Sequence, residues 1–314
     1  MDGSRGQGST PLNGAGGGAG DGAGDSPTAL RMLVGAQLRR LREERGVGRA
    51  EAGYVIRGSE SKISRMELGR VRLKLRDVAD LLAFYGLAEG PERDALLARV
   101  REANVPAWWQ PYNDVTPGWF SRYLGLEATA TLIRTYEAQF VPGLLQTPDY
   151  ARAVVRLGHA NASDEEIRRR VRLRLERQQE VLHRPDPPKL WAVVDEAALR
   201  RPIGGLAVMR DQLEALIGIV TKAPNVRLQV MPLASGGHAA AGGSFTILRF
   251  GKQRPHLTDL VYVEQLTHAL YLETRADVEV YFDAVNRLYV EAAPIGSTVD
   301  ILDRIRGELY TLDR

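Results

Sequence analysis

The chain of 314 residues contains no cysteine. That excludes disulfide staples, thiolate metal sites and cysteine nucleophiles, and it fits a reducing compartment. Histidine is scarce as well: His159, His183, His238, His256 and His268 are scattered, with no HExxH and no spacing suited to zinc. No metal and no cofactor is expected. No apolar run approaches the roughly 20 residues needed to cross a bilayer, and no apolar stretch follows Met1 as a secretory leader requires. The expectation is a cytoplasmic protein without membrane contact.

Catalytic motifs are missing too. "GGHAAAGGS" is rich in glycine but has no Lys-Ser/Thr in register for a P-loop, and reads as a loop between strands. His238, Asp195 and a serine could be drawn as a triad, yet there is no G-x-S-x-G elbow. No catalytic residue is assigned, and the chain is not expected to be an enzyme.

Net charge is nearly absent, at +3 from 42 Lys and Arg against 39 Asp and Glu, but it is unevenly spread. Between Arg31 and Arg76 there are 13 Arg and Lys against 5 Asp and Glu, a surplus of eight that leaves the remainder at −5. A basic module on a mildly acidic body suits a local polyanion such as nucleic acid; a solvated, salt-bridged surface is the alternative.

Hydrophobic content of 44% with 26% charged residues is that of a globular protein. Residues 1–29 are mostly Gly, Ala, Ser and Asp, have almost nothing to bury, and are expected to form a flexible tail. Residues 30–104 carry five short helical patterns, beginning with Val34, Leu38 and Leu41 at helical spacing, and form one all-α domain. Residues 105–120, "VPAWWQPYNDVTPGWF" from Val105, read as a connector whose aromatics pack between domains; stacking on bases is the other use. Residues 121–314 mix element types. Thr147 before Pro148 caps one helix, and Ser163 with Glu166 forms the capping box of a long one. Strands are expected at "KLWAVVD", "VRLQVMPL", "SFTILRF", "DLVYVEQ" and "ALYLE". Short linkers between them favour a mixed or antiparallel sheet, hence an α+β domain that regulates, dimerises or binds a partner.

Gly46 to Arg70, "GVGRAEAGYVIRGSESKISRMELGR", concentrates the chemistry. Ala52, Val55, Ile56, Ile63 and Met66 hold two helices together, and Gly53 lies where they must approach closely. Ser59 caps the second helix. With Ile63 and Met66 buried, Ser61, Arg65 and Leu68 lie on the opposite side, flanked by Ser64. That face can enter a major groove: Arg suits guanine O6/N7, Ser is tolerant, and Glu60 can accept from cytosine N4. A merely packed helix pair, or a protein-binding relative, is the plainer reading.

The segment resembles the XRE-type, lambda-repressor-like helix-turn-helix, with Gly46, Val47, Ser59, Ile63, Ser64, Glu67 and Gly69 matching its signature without a gap. The resemblance implies base contacts from Glu60, Ser61, Ser64 and Arg65, and phosphate contacts from Arg49, Lys62, Arg70 and Arg72. It also implies an ion pair between Glu67 and Arg42. Arg57 stands where the family usually has its turn glycine, with Gly58 next, which predicts a turn shifted by one residue. Gly48 replaces the usual Ser/Thr cap of the preceding helix. The chain after the tail is similar to a large actinobacterial regulator family with an antitoxin-like C-terminal domain, through "IRTYEAQFVPGLLQTPDYARA", "RPDPPKLWAVVDEAALRRPIGG", "NVRLQVMPLASGGHAAAGGSFTILRF" and "DLVYVEQLTHALYLE". This implies double-stranded DNA as partner, a homodimer, and a small protein encoded by a neighbouring gene.

One further stretch stays open. Ser163 to Arg184 carries eight Arg and His cations. Pairs Glu165–Arg169 and Arg172–Glu176 suggest a solvated helix; a second surface for phosphates or an acidic partner is the sharper reading.

Overall fold

The computed structural model describes residues 25–252 and 254–311. Five helices come first: α1 (Pro27–Glu44), α2 (Arg49–Val55), α3 (Glu60–Glu67), α4 (Leu75–Phe84) and α5 (Pro91–Ala103). Their core is Val34, Leu38, Ala52, Ile63, Met66, Leu73, Val78, Leu81 and their neighbours, all buried.

The helix α6 (Gly118–Glu127) leads into the second module. There β1 (Leu132–Glu137) is followed by α7 (Pro148–Gly158), α8 (Asp164–Leu182), β2 (Lys189–Asp195), α9 (Glu196–Arg200), α10 (Leu206–Lys222) and β3 (Val226–Met231). A meander of β4 (Phe245–Arg249), β5 (Leu260–Glu264) and β6 (Ala269–Leu272) comes next, then α11 (Arg275–Glu291) and α12 (Thr298–Thr311). The six strands form one mixed sheet in the order β3-β2-β1-β4-β5-β6. Strands β1, β2 and β3 are parallel, and β4, β5 and β6 are antiparallel to their neighbours. Side chains alternate between faces: Leu190, Ala192 and Val194 of β2 join the core under α6, α8, α10 and α12, whereas Val193 joins the one under α11. The fold is thus an all-α domain followed by an α+β domain, as expected. Among the described residues no helix is long and apolar enough to cross a membrane.

Five of the six strands fall where the sequence places them; the missed one is β1, at the centre of the sheet. A second correction concerns the tail. Ser26 accepts a hydrogen bond from the Ala29 amide and starts α1, with Pro27 in its first turn, so residues 27–29 are helical. The part of the tail call covering residues 1–24 lies outside the described residues. The start of α1 belongs to the larger module: Ala29 is buried in the core beneath the sheet, and the Ser26 hydroxyl bonds the Gly125 carbonyl at 2.5 Å. Two turns later Val34 and Leu38 enter the small helical core. One helix therefore runs through both cores.

The connector packs down, as its composition suggests. Trp109, Tyr112 and Val115 form a cluster with Leu124 of α6 and Leu173 of α8. The arginines of α8 explain why. Arg169 donates to Asp114 and to the Pro111 carbonyl and Arg170 to the Val115 carbonyl, while Arg184, just beyond the end of α8, donates to the Ala128 and Ala130 carbonyls that follow α6. The two expected pairs do not form, since Arg169 bonds Asp114 and Glu176 accepts from the Tyr112 hydroxyl, but Arg168–Glu165 and Arg170–Glu166 supply ion pairs within the helix.

Candidate nucleic-acid interface

The helix pair is fixed by sterics first. A methyl group added at Gly53 would stand 2.9 Å from the Gly58 carbonyl oxygen, so α2 meets the turn at a distance only glycine permits. Gly35, on α1, does the same for the end of α3: a Cβ there would lie 2.5 Å from the Met66 and Glu67 carbonyl oxygens. That second crossing was not read from the sequence. Ser59 caps α3 by accepting from the Lys62 amide at 3.2 Å. Gly48 caps α2 without a side-chain bond.

Electrostatics then lock the frame. Arg42 donates to Glu67 from Nε at 2.5 Å and from Nη2 at 3.2 Å, and Nη1 reaches the Val47 carbonyl at 2.9 Å. The Glu67 hydrogen bonds hold the Arg42 guanidinium above its ordinary pKa. Arg49 adds a third bond to Glu67, from Nε at 3.2 Å. One buried carboxylate thus ties α1 and α2 to α3.

The turn itself is not shifted. Arg57 occupies the left-handed region at φ 50°, the position a glycine would fill, while Gly58 stays outside it. A non-glycine residue pays conformational strain there. Arg57→Gly should therefore stabilise the domain by about 0.5–1 kcal/mol, read as a raised urea midpoint at unchanged slope. A lowered midpoint would mean that the Arg57 side chain contributes more than the strain costs.

With Ile63 and Met66 sealed inside, α3 presents Glu60, Ser61, Arg65 and Leu68 to solvent, and Ser64 half-buried beside them. Residues 33–96 match the helix-turn-helix domain, and residues 120–304, more than half of the chain, match a domain of unknown function (DUF5753). The chain belongs to the DUF5753 family. No curated protein and no solved structure matches it. Its amino-terminal module is a helix-turn-helix, the architecture of DNA-binding transcriptional regulators, joined to the DUF5753 domain through α1.

The cations named from the sequence divide into two groups. Arg65 and Arg70 are exposed and, among the described residues, make no side-chain hydrogen bond or ion pair, as is also true of Arg57 and Lys74. The others are engaged. Lys62 donates to Asp77 of α4 at 2.7 Å, which turns it away from the open face. Arg72 lies against the end of α5, with Nε 3.2 Å from Asn104 Oδ1. Arg49 spends only Nε on Glu67 and keeps its terminal nitrogens. Sequence reasoning missed Arg57 as an open cation and Tyr54, which is 86% exposed on α2. The latter had a signal: an aromatic on the polar side of an amphipathic pattern.

In the DUF5753 domain, His238 and Asp195 do come together, with Nε2 3.7 Å from Oδ2. The hydroxyl between them belongs to Tyr136, 2.9 Å from the imidazole and 3.3 Å from the carboxylate. Burial, reinforced by Asp195, pushes that phenol well above its usual range. Such a hydroxyl is a hydrogen-bond donor and a poor nucleophile.

Proposed function

We propose that the chain is a sequence-specific, cytoplasmic transcriptional regulator, not an enzyme, that lays α3 in the major groove of double-stranded DNA. The observation that carries this is the open face of α3, held by the Glu67 tie and flanked by Arg57 and Arg70, which are exposed and unpaired among the described residues. Ser61, Arg65 and Glu60 would read base edges, with Ser64 beside them; Arg49, Arg57 and Arg70 would hold phosphates. The bonds made by Lys62 and Arg72 favour a supporting role for both. Binding as a two-fold dimer on half-sites about one helical turn apart follows the usual geometry of the motif.

On an operator selected from random DNA, Arg65→Ala should cost about 1–3 kcal/mol and relax preference at one base position. Arg70→Ala should weaken all sequences alike and make the salt dependence shallower. Gel shifts across a panel of single-base variants measure both. An unchanged base preference in Arg65→Ala would remove Arg65 from base reading.

A second reading gives the DUF5753 domain an antitoxin-like role, holding a small protein encoded next door and using DNA binding for autoregulation. The edges of the sheet favour a protein contact of this kind. The β3 edge is covered, since the Ala293 amide bonds the Val230 carbonyl and Thr298 bonds that of Leu228. The β6 edge has no strand beyond it among the described residues, with Leu270 44% exposed and Leu266 on the preceding turn fully exposed. An open apolar edge invites strand addition. Leu270→Lys should abolish co-purification of the neighbouring gene product while leaving operator binding intact; equal capture by the variant would place the contact elsewhere.

A further inference from the structure

Where α1, α5, the connector and α8 converge there is a groove of about 540 Å³, within the size range of sites for drug-sized ligands. Its apolar wall is Leu30, Val105, Trp108 and Trp109, with Val105 57% exposed. The two indoles meet edge to face, with centroids 5.5 Å apart and planes at 88°; Trp109 is packed into the connector cluster and backs Trp108, the ring that stays partly exposed in the groove. The Trp108 Nε1 is buried and has no hydrogen-bond partner, so packing alone holds that ring in place.

The polar side of the groove is acidic. Glu102 and Glu180 line it, and among the described residues neither carboxylate has a hydrogen-bond or ion-pair partner. Asp25 is already paired with Arg254. Arg184, the one cation among the described residues of the wall, has its N–H groups directed at the carbonyls of Ala128, Ala130 and Asp186, and burial lowers its affinity for the proton. It is poorly placed to receive an anion. Unpartnered carboxylates in a groove with a partly exposed indole, Trp108, are complementary to a cation, because the ring attracts positive charge and the carboxylates neutralise it.

We propose that this groove binds an organic cation, an ammonium carried on an apolar body. The site lies where the helix-turn-helix is joined to the DUF5753 domain, with α1 and α5 on one side and α8 on the other. Its use as an effector site rests on the regulator reading above; its capacity to bind does not.

Calorimetric titration of the full chain, without DNA, with benzyltrimethylammonium tests the proposal directly. Saturable binding at millimolar concentration or tighter is expected, with p-toluenesulfonate, similar in size and opposite in charge, giving no saturable heat. Val105→Arg, which puts a fixed cation at an exposed position of the groove, and the pair Glu102→Gln/Glu180→Gln should each weaken binding about tenfold or more. Unchanged melting temperatures would show that these surface changes leave the fold intact. Absence of saturable binding, equal binding of the anion, or variants that bind like the wild type would overturn the proposal. Because no DNA is present, failure here leaves operator recognition untouched, and a failure of operator recognition leaves this result standing.

Discussion

Replacing Glu67 with alanine is expected to destabilise the helix-turn-helix by about 3–5 kcal/mol, the cost of leaving a buried partner charge uncompensated. The Glu67 side chain is 3% exposed and that of Arg42 is 8% exposed, so water cannot replace the lost carboxylate without opening the core. Arg42 cannot escape by losing its proton either. The Arg42 pKa is raised in the intact pair, and arginine stays protonated in proteins. It keeps the Val47 carbonyl, which satisfies one N–H of the fork and none of the charge, and at 3.4 Å the half-exposed Glu43 carboxylate, which offsets the charge only in part. Arg49 loses its anchor in the same step, which leaves two cations at the α1–α2–α3 junction with only the half-exposed Glu43 beside them. Urea unfolding followed by circular dichroism measures the effect. Glu60→Ala, at an exposed position of the same helix, serves as the control and should stay within about 0.5 kcal/mol of the wild type. A Glu67→Ala loss below about 1 kcal/mol would show that the pair is solvated in solution, and the rigid platform argued for α3 would go with it.

The same junction shows why part of this architecture was legible in the sequence. The contacts of α2 and α3 are local, between residues at helical spacing around one short turn, so Ser59, Gly53, Ile63 and Met66 could be assigned from pattern alone. Glu67–Arg42 was reachable only through resemblance, since 25 residues separate the partners. The rest failed where the deciding contact is remote. Strand β1, "LIRTYE", lies between two strands but carries Arg134, Thr135 and Glu137. Thr135 is tolerated because it bonds the Phe245 carbonyl and the Thr246 hydroxyl on β4; nothing nearby in sequence announces that. The start of α1 was hidden by its glycine-rich neighbourhood, although Ser26–Pro27 is an ordinary cap and first-turn pair. Arg169, Arg170 and Arg177 of α8 read as a solvated face because their remote partners, in the connector and on α6, come from other parts of the chain. The open face of α3 was legible, but which cations stay free on it was not: Asp77 claims Lys62 from another helix.

Glu127 makes this last point in its strongest form, and Glu127→Ala is expected to cost the DUF5753 domain about 3–5 kcal/mol. Its side chain is fully buried and receives both arms of the Arg177 fork, Nε at 2.6 Å and Nη2 at 2.7 Å, with the Tyr123 hydroxyl at 2.8 Å. Burial alone would lower the Arg177 pKa, but the Glu127 charge and its hydrogen bonds more than reverse this and hold the guanidinium above its ordinary pKa. Without Glu127, Arg177 would keep the faces of Phe120 and Tyr123, at 5.6 and 5.2 Å, and a longer-range attraction to Glu137. Those ring contacts are worth about 0.5–2 kcal/mol, less than the charge needs. Its neighbour Arg174 aggravates the deficit: burial and the Arg177 charge already push it down to about 10. A double-mutant cycle separates the pair from its packing. Glu127→Leu with Arg177→Met removes both charges at similar volume and should recover most of the loss, since buried pairs replaced by apolar groups are often neutral in stability. Thermal and urea unfolding of the two single variants and the double variant measure the coupling. Additive losses would mean that the two side chains act separately, and that α8 is held to α6 by its apolar contacts and not by this ion pair.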